Sequence, residues 1–385
     1  MTTPSAGRDR CEADRSISAG ASYGAFLALV VALAGAASGA FGAGPDPSER
    51  VNAEVVRLRR SLEEKPIAGG ELAGVASACD GALKASAAAL EAGRLYLSLE
   101  ALGRASGLFH GVRFASEKEE AVASGLPAFT SEWNEANRAL TATAGAREGR
   151  WDRSRAAVQA LAETADGRIL PLLEGARGFS VATGPKDGLF YIGEAQGEAE
   201  FAALCASLEF RDKVGRFPLR SMLPELQHLQ EKTNAAFQPP RSIDLHQRFV
   251  ALNSSLKAGL ELDAAEKYAG SAYQYLEAVR HYGMLDAKPL DEPAQARLLE
   301  DLAAGRARIE ASKRDESLAQ LFLERAASQV AHADGSAPSA DEWRSARVII
   351  DQVLPAYSAA RLPVVAAARS VGRQIRMTLV RWPYT

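Results

Sequence analysis

Apolar residues recur every three or four positions along almost the whole chain, and this helical spacing is the feature that most limits how the chain can fold. The first clear stripe consists of Val51, Val55, Leu58 and Leu62. Runs of strictly alternating residues are few. The sequence therefore predicts an all-α fold of paired antiparallel helices, either helical-repeat-like or a bundle, with a short extended C-terminal tail.

Local signals predict where several helices begin. In Asp46-Pro47-Ser48-Glu49 the acid can cap free amides, the proline suits the first turn, and the glutamate reaches back. Serine followed three residues later by glutamate predicts further starts at Ser116–Glu119 and Ser339–Glu342, because the two side chains together satisfy first-turn amides. The second helix is expected over about Glu71–Ala92, and the third is expected over Leu95–Phe109.

Clusters of loop-forming residues divide the chain. The clearest loop is Ser180–Gly188, and it predicts a boundary between a helical subdomain at 41–180 and a second one at 189–372. Two further loops are predicted at Phe237–Asp244, where paired prolines cannot continue a helix, and at Ala333–Asp341.

The last residues, 373–385, lose the helical spacing and alternate in the manner of a strand. A single strand leaves its amides and carbonyls without partners. We therefore expect an extended tail, either paired with a short strand around Leu189–Ile192 or lying in a groove that buries Leu379 and Trp382. Strand addition to a partner's sheet edge and disorder are the alternatives.

The apolar segment Gly24–Gly44 decides the predicted compartment. Strong apolar character is confined to about ten residues, and small residues follow them. A spanning helix needs about 20 apolar residues, whereas a secretory leader needs about 7 to 15 before a small-residue cleavage site. We predict a leader, residues 1–40, cleaved after Ala40, and an exported, periplasmic or extracellular protein. The alternative is an uncleaved anchor in the cytoplasmic membrane, with membrane contact through residues 24–43 alone.

The charge and the motifs of the chain limit the classes of function that it can have. The 385 residues carry a formal net charge of −3, and Lys and Arg are spread along the chain. Because a nucleic-acid-binding protein normally shows a basic face, no nucleic-acid partner is expected. Phosphate loops, dinucleotide fingerprints and nucleophile elbows do not occur in the sequence. Glu225 and His228 form one Glu-x-x-His motif, whereas a di-iron bundle needs two and further carboxylates. No cofactor, metal or catalytic residue is assigned, which favours a protein that is not an enzyme.

Two cysteines, Cys79 and Cys205, lie beyond the predicted leader, each on an apolar helical face. One interpretation is a pair of buried, inert thiols. The other is a Cys79–Cys205 disulfide, which an oxidising envelope permits. Neither cysteine has the Cys or His spacing of a zinc site.

Two stretches resemble a tetratricopeptide repeat, which is a helix–turn–helix unit. The clearer one, Ser254–Gly283, resembles it through Gly259, Tyr268, Tyr275 and Ala278. The second, Arg94–Ala115, resembles it through Leu95, Leu102, Gly103 and Ala115. The resemblance implies paired helices in which small residues allow close approach and aromatic residues fill the gap.

Two faces of the predicted helix over Tyr268–Tyr282 carry the candidate functional residues. Tyr268, Tyr275 and Tyr282 share one side, which indicates core packing or an aromatic-lined groove. On the adjacent face Tyr273, Glu277 and His281 follow one another at single-turn spacing. A carboxylate one turn from an imidazole can tune a general base, or can form a simple surface ion pair. These six residues are the predicted partner or ligand surface.

Together these observations predict an exported cell-envelope scaffold that binds an unidentified protein partner. The alternative is a periplasmic enzyme or small-ligand binder that uses the tyrosine-rich helix with Glu277 and His281.

Overall fold

The amphipathic stripes fold as helices, and the computed structural model describes residues 46–67, 71–144, 151, 154–212, 214–215, 219–238, 243, 245–332 and 335–360. In these residues the predicted all-α fold is confirmed. The helices are α1 (Pro47–Glu64), α2 (Glu71–Glu91), α3 (Leu95–Lys118), α4 (Leu126–Ala144), α5 (Ala156–Ala182), α6 (Pro185–Ala206), α7 (Leu223–Ala236), α8 (His246–Ala264), α9 (Tyr268–Asp286), α10 (Glu292–Glu310), α11 (Ser317–Val330), α12 (Ala340–Val348) and α13 (Leu354–Ala360). A π-helical turn, Ile349–Val353, joins the last two.

The predicted leader at 1–40, the apolar segment at 24–43 and the tail at 373–385 lie outside the described residues. Among the described helices, none combines the length and the apolar character that crossing a membrane requires. All the described residues belong to one compact unit that begins at Asp46. Helices from both predicted subdomains pack against each other within it, since α6 lies along both α3 and α5.

The core lies around α3, α5, α6 and α9. Helix α3 packs against α2, α6 and α11, while α9 packs against α8, α5 and the π-helical turn. The largest fully buried side chains are Phe322, Leu58, Leu83, Leu99, Leu102, Leu173, Leu189, Ile192, Leu208, Met222, Leu226 and Leu252. The first predicted stripe is part of this core, because Val51, Val55 and Leu58 are buried and Leu62 packs against it.

The contact between α3 and α6 depends on glycines that bring the two backbones together. A Cβ atom at Gly193 would lie 2.3 Å from the carbonyl oxygen of His110, and one at Gly197 would lie 2.4 Å from that of Ser106. The Ser106 hydroxyl donates a hydrogen bond of 3.0 Å to the Gly197 carbonyl. Because any side chain at these two positions would collide with backbone, glycine is required for the observed separation.

Some local predictions were right and others were wrong. Ser339 and Glu342 form the predicted capping box at the start of α12. Asp46 precedes α1 as predicted, although its side chain forms no capping hydrogen bond. The predicted start at Ser116 is wrong, because α3 continues through it; the buried face that includes Phe114 and Ala115 keeps this turn helical.

The predicted loop at Ser180–Gly188 is present but short, and one of the two alternatives for the partner of the tail is wrong. The connection is much shorter than predicted and consists of Thr183 and Gly184, the latter with φ of +130°. Leu189–Ile192, where a short strand was expected, is a turn of α6. Leu189 and Ile192 lie three residues apart and therefore on one face of the helix, and both are fully buried.

The two stretches that resemble a tetratricopeptide repeat fold differently. Ser254–Gly283 forms two packed helices, α8 and α9, joined by the short turn Ala265–Lys267. Residues 94–115 lie instead in one uninterrupted helix, α3, with Arg94 at its N-cap. Its glycines face neighbouring helices, and Gly103 lies against the ring of Phe201, so they serve helix contacts rather than a turn.

Carboxylates from distant residues cap four helices whose own N-cap side chains form no capping hydrogen bond. The first backbone N–H groups of a helix lack partners within it, so an acceptor from elsewhere stabilises the start. The bonds run from the amide of Leu97 to Glu324 (2.9 Å), of Ala156 to Asp315 (2.7 Å), of Met222 to Asp263 (2.7 Å) and of Gly270 to Glu163 (2.7 Å).

Cys79 and Cys205 are fully buried free thiols, and the bond between them that the sequence left open is not formed in the structure. The Cys79 thiol donates to the carbonyl of Ala105 at 3.5 Å. Burial raises the pKa of the Cys79 thiol to about 12 and raises that of Cys205 as well. A thiol that stays protonated is a poor nucleophile, so both behave as small apolar core residues.

Candidate functional site

The six residues predicted as a partner or ligand surface all lie on α9. Tyr273 and Glu277 are buried, and the other four are half-buried. Tyr275 and Tyr282 pack against the hydrophobic core, as core packing predicts for that side of the helix. The second face, with Tyr273, Glu277 and His281, meets side chains from two other helices.

These residues belong to a partly buried ionic group that we call the arginine cluster. Its members are Glu100 on α3, Tyr273, Glu277, Arg280 and His281 on α9, and Arg325 on α11. The structure thus brings the predicted Tyr273–Glu277–His281 stack together and adds a carboxylate and two guanidinium groups to it.

Arg325 is the centre of the arginine cluster. Its guanidinium donates to the carboxylates of both Glu100 and Glu277, and it lies 3.3 Å from the Tyr273 hydroxyl. That hydroxyl donates to Glu100 at 2.5 Å. The guanidinium also lies 5.1 Å from the ring centroid of Phe322, within the range of a cation–π contact. One side chain therefore ties α3, α9 and α11 together.

Arg280 donates hydrogen bonds to the second carboxylate oxygen of Glu277. Its Nε and Nη2 atoms donate to Glu277 Oε2 at 3.1 and 2.9 Å. The Nη2 atom also lies 3.2 Å from Nε2 of His281. The imidazole is farther from the carboxylate, since His281 Nε2 and Glu277 Oε2 are 3.9 Å apart. The carboxylate therefore pairs with two arginines, and the histidine is a peripheral neighbour.

The charges of the arginine cluster balance. Burial alone would raise the pKa of Glu277, but the charges of Arg325 and Arg280 outweigh it and lower that pKa to about 2. Burial and the positive charge of Arg280 lower the pKa of His281 to about 4. At neutral pH two glutamates therefore face two arginines, and the imidazole is uncharged. This arrangement holds three helices together and presents no carboxylate poised to take a proton.

A separate cleft opens where α3 begins, and its volume is about 560 Å³. We call it the α3 cleft; its walls come from α10, α11, the start of α3 and the segment around Phe210. His281 is not among its lining residues, and neither is any other of the six predicted side chains. Tyr96 and Phe210 line it as a stacked pair with ring centroids 6.5 Å apart.

Glu324 is one of two buried carboxylates of the α3 cleft, and Asp315 is the other. Glu324 accepts hydrogen bonds from the Leu97 amide at 2.9 Å and from the Gln320 side chain at 2.9 Å. Burial raises the pKa of Glu324 to about 7, although those bonds and the charge of Arg94 oppose the rise. Because a pKa near 7 suits proton exchange at neutral pH, Glu324 is a chemically responsive acid that the sequence did not reveal.

Sequence reasoning missed Glu100, Arg325 and Glu324 because each acts on residues far away in the chain. One signal was present: Arg94 and Lys267 stand directly before α3 and α9, where a cation opposes the positive end of the helix dipole. In both helices a remote carboxylate supplies the cap.

The described residues also bear on metal binding. They contain no group of three His, Cys, Asp or Glu side chains that could hold a metal ion. Glu225, from the Glu-x-x-His motif, pairs with Arg220 instead.

No protein-family model, curated protein or solved structure matches this chain.

Proposed function

We propose that this protein is a non-catalytic helical scaffold, exported to the cell envelope, that binds a protein partner. The observation that carries this proposal is the closed, charge-balanced state of the arginine cluster. An active site on α9 would need the side chains of Tyr273, Glu277 and His281, and all three are engaged in contacts within the cluster.

The acid–base properties of the cluster argue against a catalytic role for it. A general base works best when its pKa lies near the working pH and its lone pair reaches the substrate. Glu277 has a pKa of about 2, and both its oxygens accept from arginines. His281 has a pKa of about 4, and its Nε2 atom faces Arg280. These side chains are suited to structural support.

A partly exposed aromatic pair offers a surface for the partner. Phe179 on α5 stacks on Tyr191 of α6 with ring centroids 4.6 Å apart, and Phe179 remains 42% exposed. Aromatic side chains are enriched in the buried centres of protein interfaces. We therefore place the first contact with the partner at Phe179 and Tyr191.

Affinity capture from an envelope extract tests the scaffold, with wild type and the double variant Phe179→Ala, Tyr191→Ala as baits. Phe237→Ala is the matched control, because Phe237 is a similarly exposed phenylalanine that contacts Phe249 instead. We expect wild type and the control to bind the purified partner equally and the double variant to bind at least tenfold more weakly. Failure to find a partner that binds after purification would contradict the proposal.

Export is tested by the N-terminal sequence of the protein recovered from its native cells. Cleavage after Ala40 gives a chain that begins at Phe41. A start at Met1 or Thr2 would show that the segment is retained, as the anchor alternative requires.

A further inference from the structure

The α3 cleft has the size and the walls of a small-molecule site. Its volume of about 560 Å³ falls within the roughly 300–1,000 Å³ of ligand pockets. Tyr96 and Phe210 supply stacked aromatic surface, and Leu302 and Leu323 add aliphatic surface. An apolar body can therefore lie against this wall.

The acids of the α3 cleft are already bound by the protein itself. Glu324 accepts from Leu97 and Gln320, as described above. Asp315 accepts from the amides of Ala156 and Ser317 at 2.7 and 3.0 Å. The remaining lining acids, Glu310, Glu316 and Asp212, contact Arg306, Tyr357 and Arg155, respectively. A cationic ligand would have to compete with these existing partners.

Two arginines of the α3 cleft are left for a ligand, since Arg306 and Arg155 already pair with Glu310 and Asp212. Arg94 and Arg314 both line it, and neither lies within 4.0 Å of a carboxylate among the described residues, although the charge of Arg94 acts on Glu324 from a greater distance. Arg155 lies 5.3 Å from the ring centroid of Phe210 and reaches Asp212, which is largely exposed, at 3.7 Å. Guanidinium groups bind carboxylate and phosphate oxygens through paired hydrogen bonds.

We propose that the α3 cleft binds a small amphipathic anion, with a carboxylate or phosphate head group held by Arg94 and Arg314. The apolar body of this ligand lies against Tyr96, Phe210 and Leu302. This site is independent of the partner surface at Phe179 and Tyr191, so either can fail without the other.

A fluorescence titration of the full chain with 8-anilinonaphthalene-1-sulfonate tests this site, because that probe joins an apolar ring system to an anionic group. We expect saturable binding and displacement by decanoate or decyl phosphate. Decyltrimethylammonium, with the same chain length and the opposite charge, should displace it at least tenfold less effectively. The more effective of the two anions identifies the head group.

Variants locate the binding. Arg94→Gln combined with Arg314→Gln should weaken probe binding at least tenfold, whereas Arg60→Gln, an exposed arginine on α1, should leave it unchanged. Ala327→Phe narrows the α3 cleft without changing its charge and should also weaken binding. The double variant Phe179→Ala, Tyr191→Ala should bind the probe normally. Equal displacement by the anion and the cation, or normal binding in both cleft variants, would overturn the proposal.

Discussion

Glu324 and Arg325 are neighbours on α11, yet they belong to regions with opposite electrostatics. Arg325 enters the arginine cluster, where full charges face one another, while Glu324 enters the α3 cleft, where it meets an amide and a side-chain amide. The pKa of Glu277 falls to about 2 in the cluster, and that of Glu324 rises to about 7 in the cleft. The pKa values of two buried glutamates are therefore shifted in opposite directions.

The difference shows what compensates a buried carboxylate. Burial disfavours the charged form of both acids. Two guanidinium groups in contact with Glu277 outweigh that cost, because their full charges act over short distances. The hydrogen-bond donors that reach Glu324 do not outweigh the cost of burying its charge. Hydrogen bonds and the more distant charge of Arg94 are therefore insufficient at Glu324, whereas two guanidinium groups in direct contact keep Glu277 ionised.

The largest expected effect is that of Arg325→Met. This change leaves the buried Glu277 with one arginine instead of two and leaves Glu100 without its ion pair, and breaking a buried pair typically costs about 3–5 kcal/mol. Urea denaturation at pH 7 should show a loss of that order in the free energy of unfolding. Arg306→Gln is the control, because its pair with Glu310 is exposed and should contribute less than about 0.5 kcal/mol. Equal losses in the free energy of unfolding for the two variants would show that the arginine cluster does not stabilise the fold.

The pH dependence of stability should separate the two glutamates. The folded-state pKa of Glu324 is raised, so its contribution is fully present below pH about 4.5 and is lost as the pH rises to about 7. The loss is on the order of 3 kcal/mol. The folded-state pKa of Glu277 is lowered, so its contribution is present above pH about 4.5 and is lost as the pH falls toward 2.

Urea denaturation from pH 3 to pH 8 checks this assignment. Glu324→Gln should flatten the decline between pH 4.5 and 7, and part of that decline should remain because burial also raises the pKa of Glu198 to about 7. Glu231→Gln, an exposed acid on α7, should leave the profile unchanged. A Glu324→Gln profile that parallels the wild type would refute the raised pKa.

A smaller loss is expected for Tyr273→Phe. The change removes the hydroxyl that donates to Glu100, and a hydrogen bond to a charged group contributes about 1.5–3 kcal/mol. Tyr282→Phe is the matched control on the same helix, because no hydrogen bond to its hydroxyl is present among the described residues. Thermal unfolding should show a lower Tm for Tyr273→Phe alone; equal Tm values would place the Tyr273 hydroxyl outside the network.

The smallest effect is expected at His281. Its imidazole is already uncharged at neutral pH, so His281→Asn should change stability by less than about 0.5 kcal/mol at pH 7. In the wild type, the proton NMR signal of the imidazole should titrate with a midpoint of about 4. A midpoint near 6.5 would place His281 in contact with solvent and away from Arg280.

The sequence was sufficient to predict the all-α fold and half of the arginine cluster. Spacing along one helix brings Tyr273, Glu277 and His281 together, and this requires no knowledge of other helices. Glu100 and Arg325 are distant in sequence from that helix, and only tertiary packing brings them to it. Arg280 lies three residues after Glu277, so this half of its pairing is local, whereas the pairing with Arg325 depends on tertiary packing that the sequence does not show.

Predictions of helix starts show the same limit. The capping box at Ser339–Glu342 is local and was predicted correctly. Helix α9 has no such signal, because its cap comes from Glu163, more than a hundred residues earlier. At Ser116 a good local signal was overridden, since the buried face of α3 continues past it. Local signals fail where long-range contacts provide more stabilisation than the cap.

The most direct test of the account is a carbon-13 NMR titration that follows the side-chain carboxyl signals of Glu277 and Glu324 in one sample. Glu277→Gln and Glu324→Gln assign the two signals. The account predicts that Glu324 titrates with a midpoint near 7, while Glu277 stays ionised until the pH approaches 2 or the protein unfolds. Midpoints that both lie near the ordinary glutamate value of about 4.3 would contradict it.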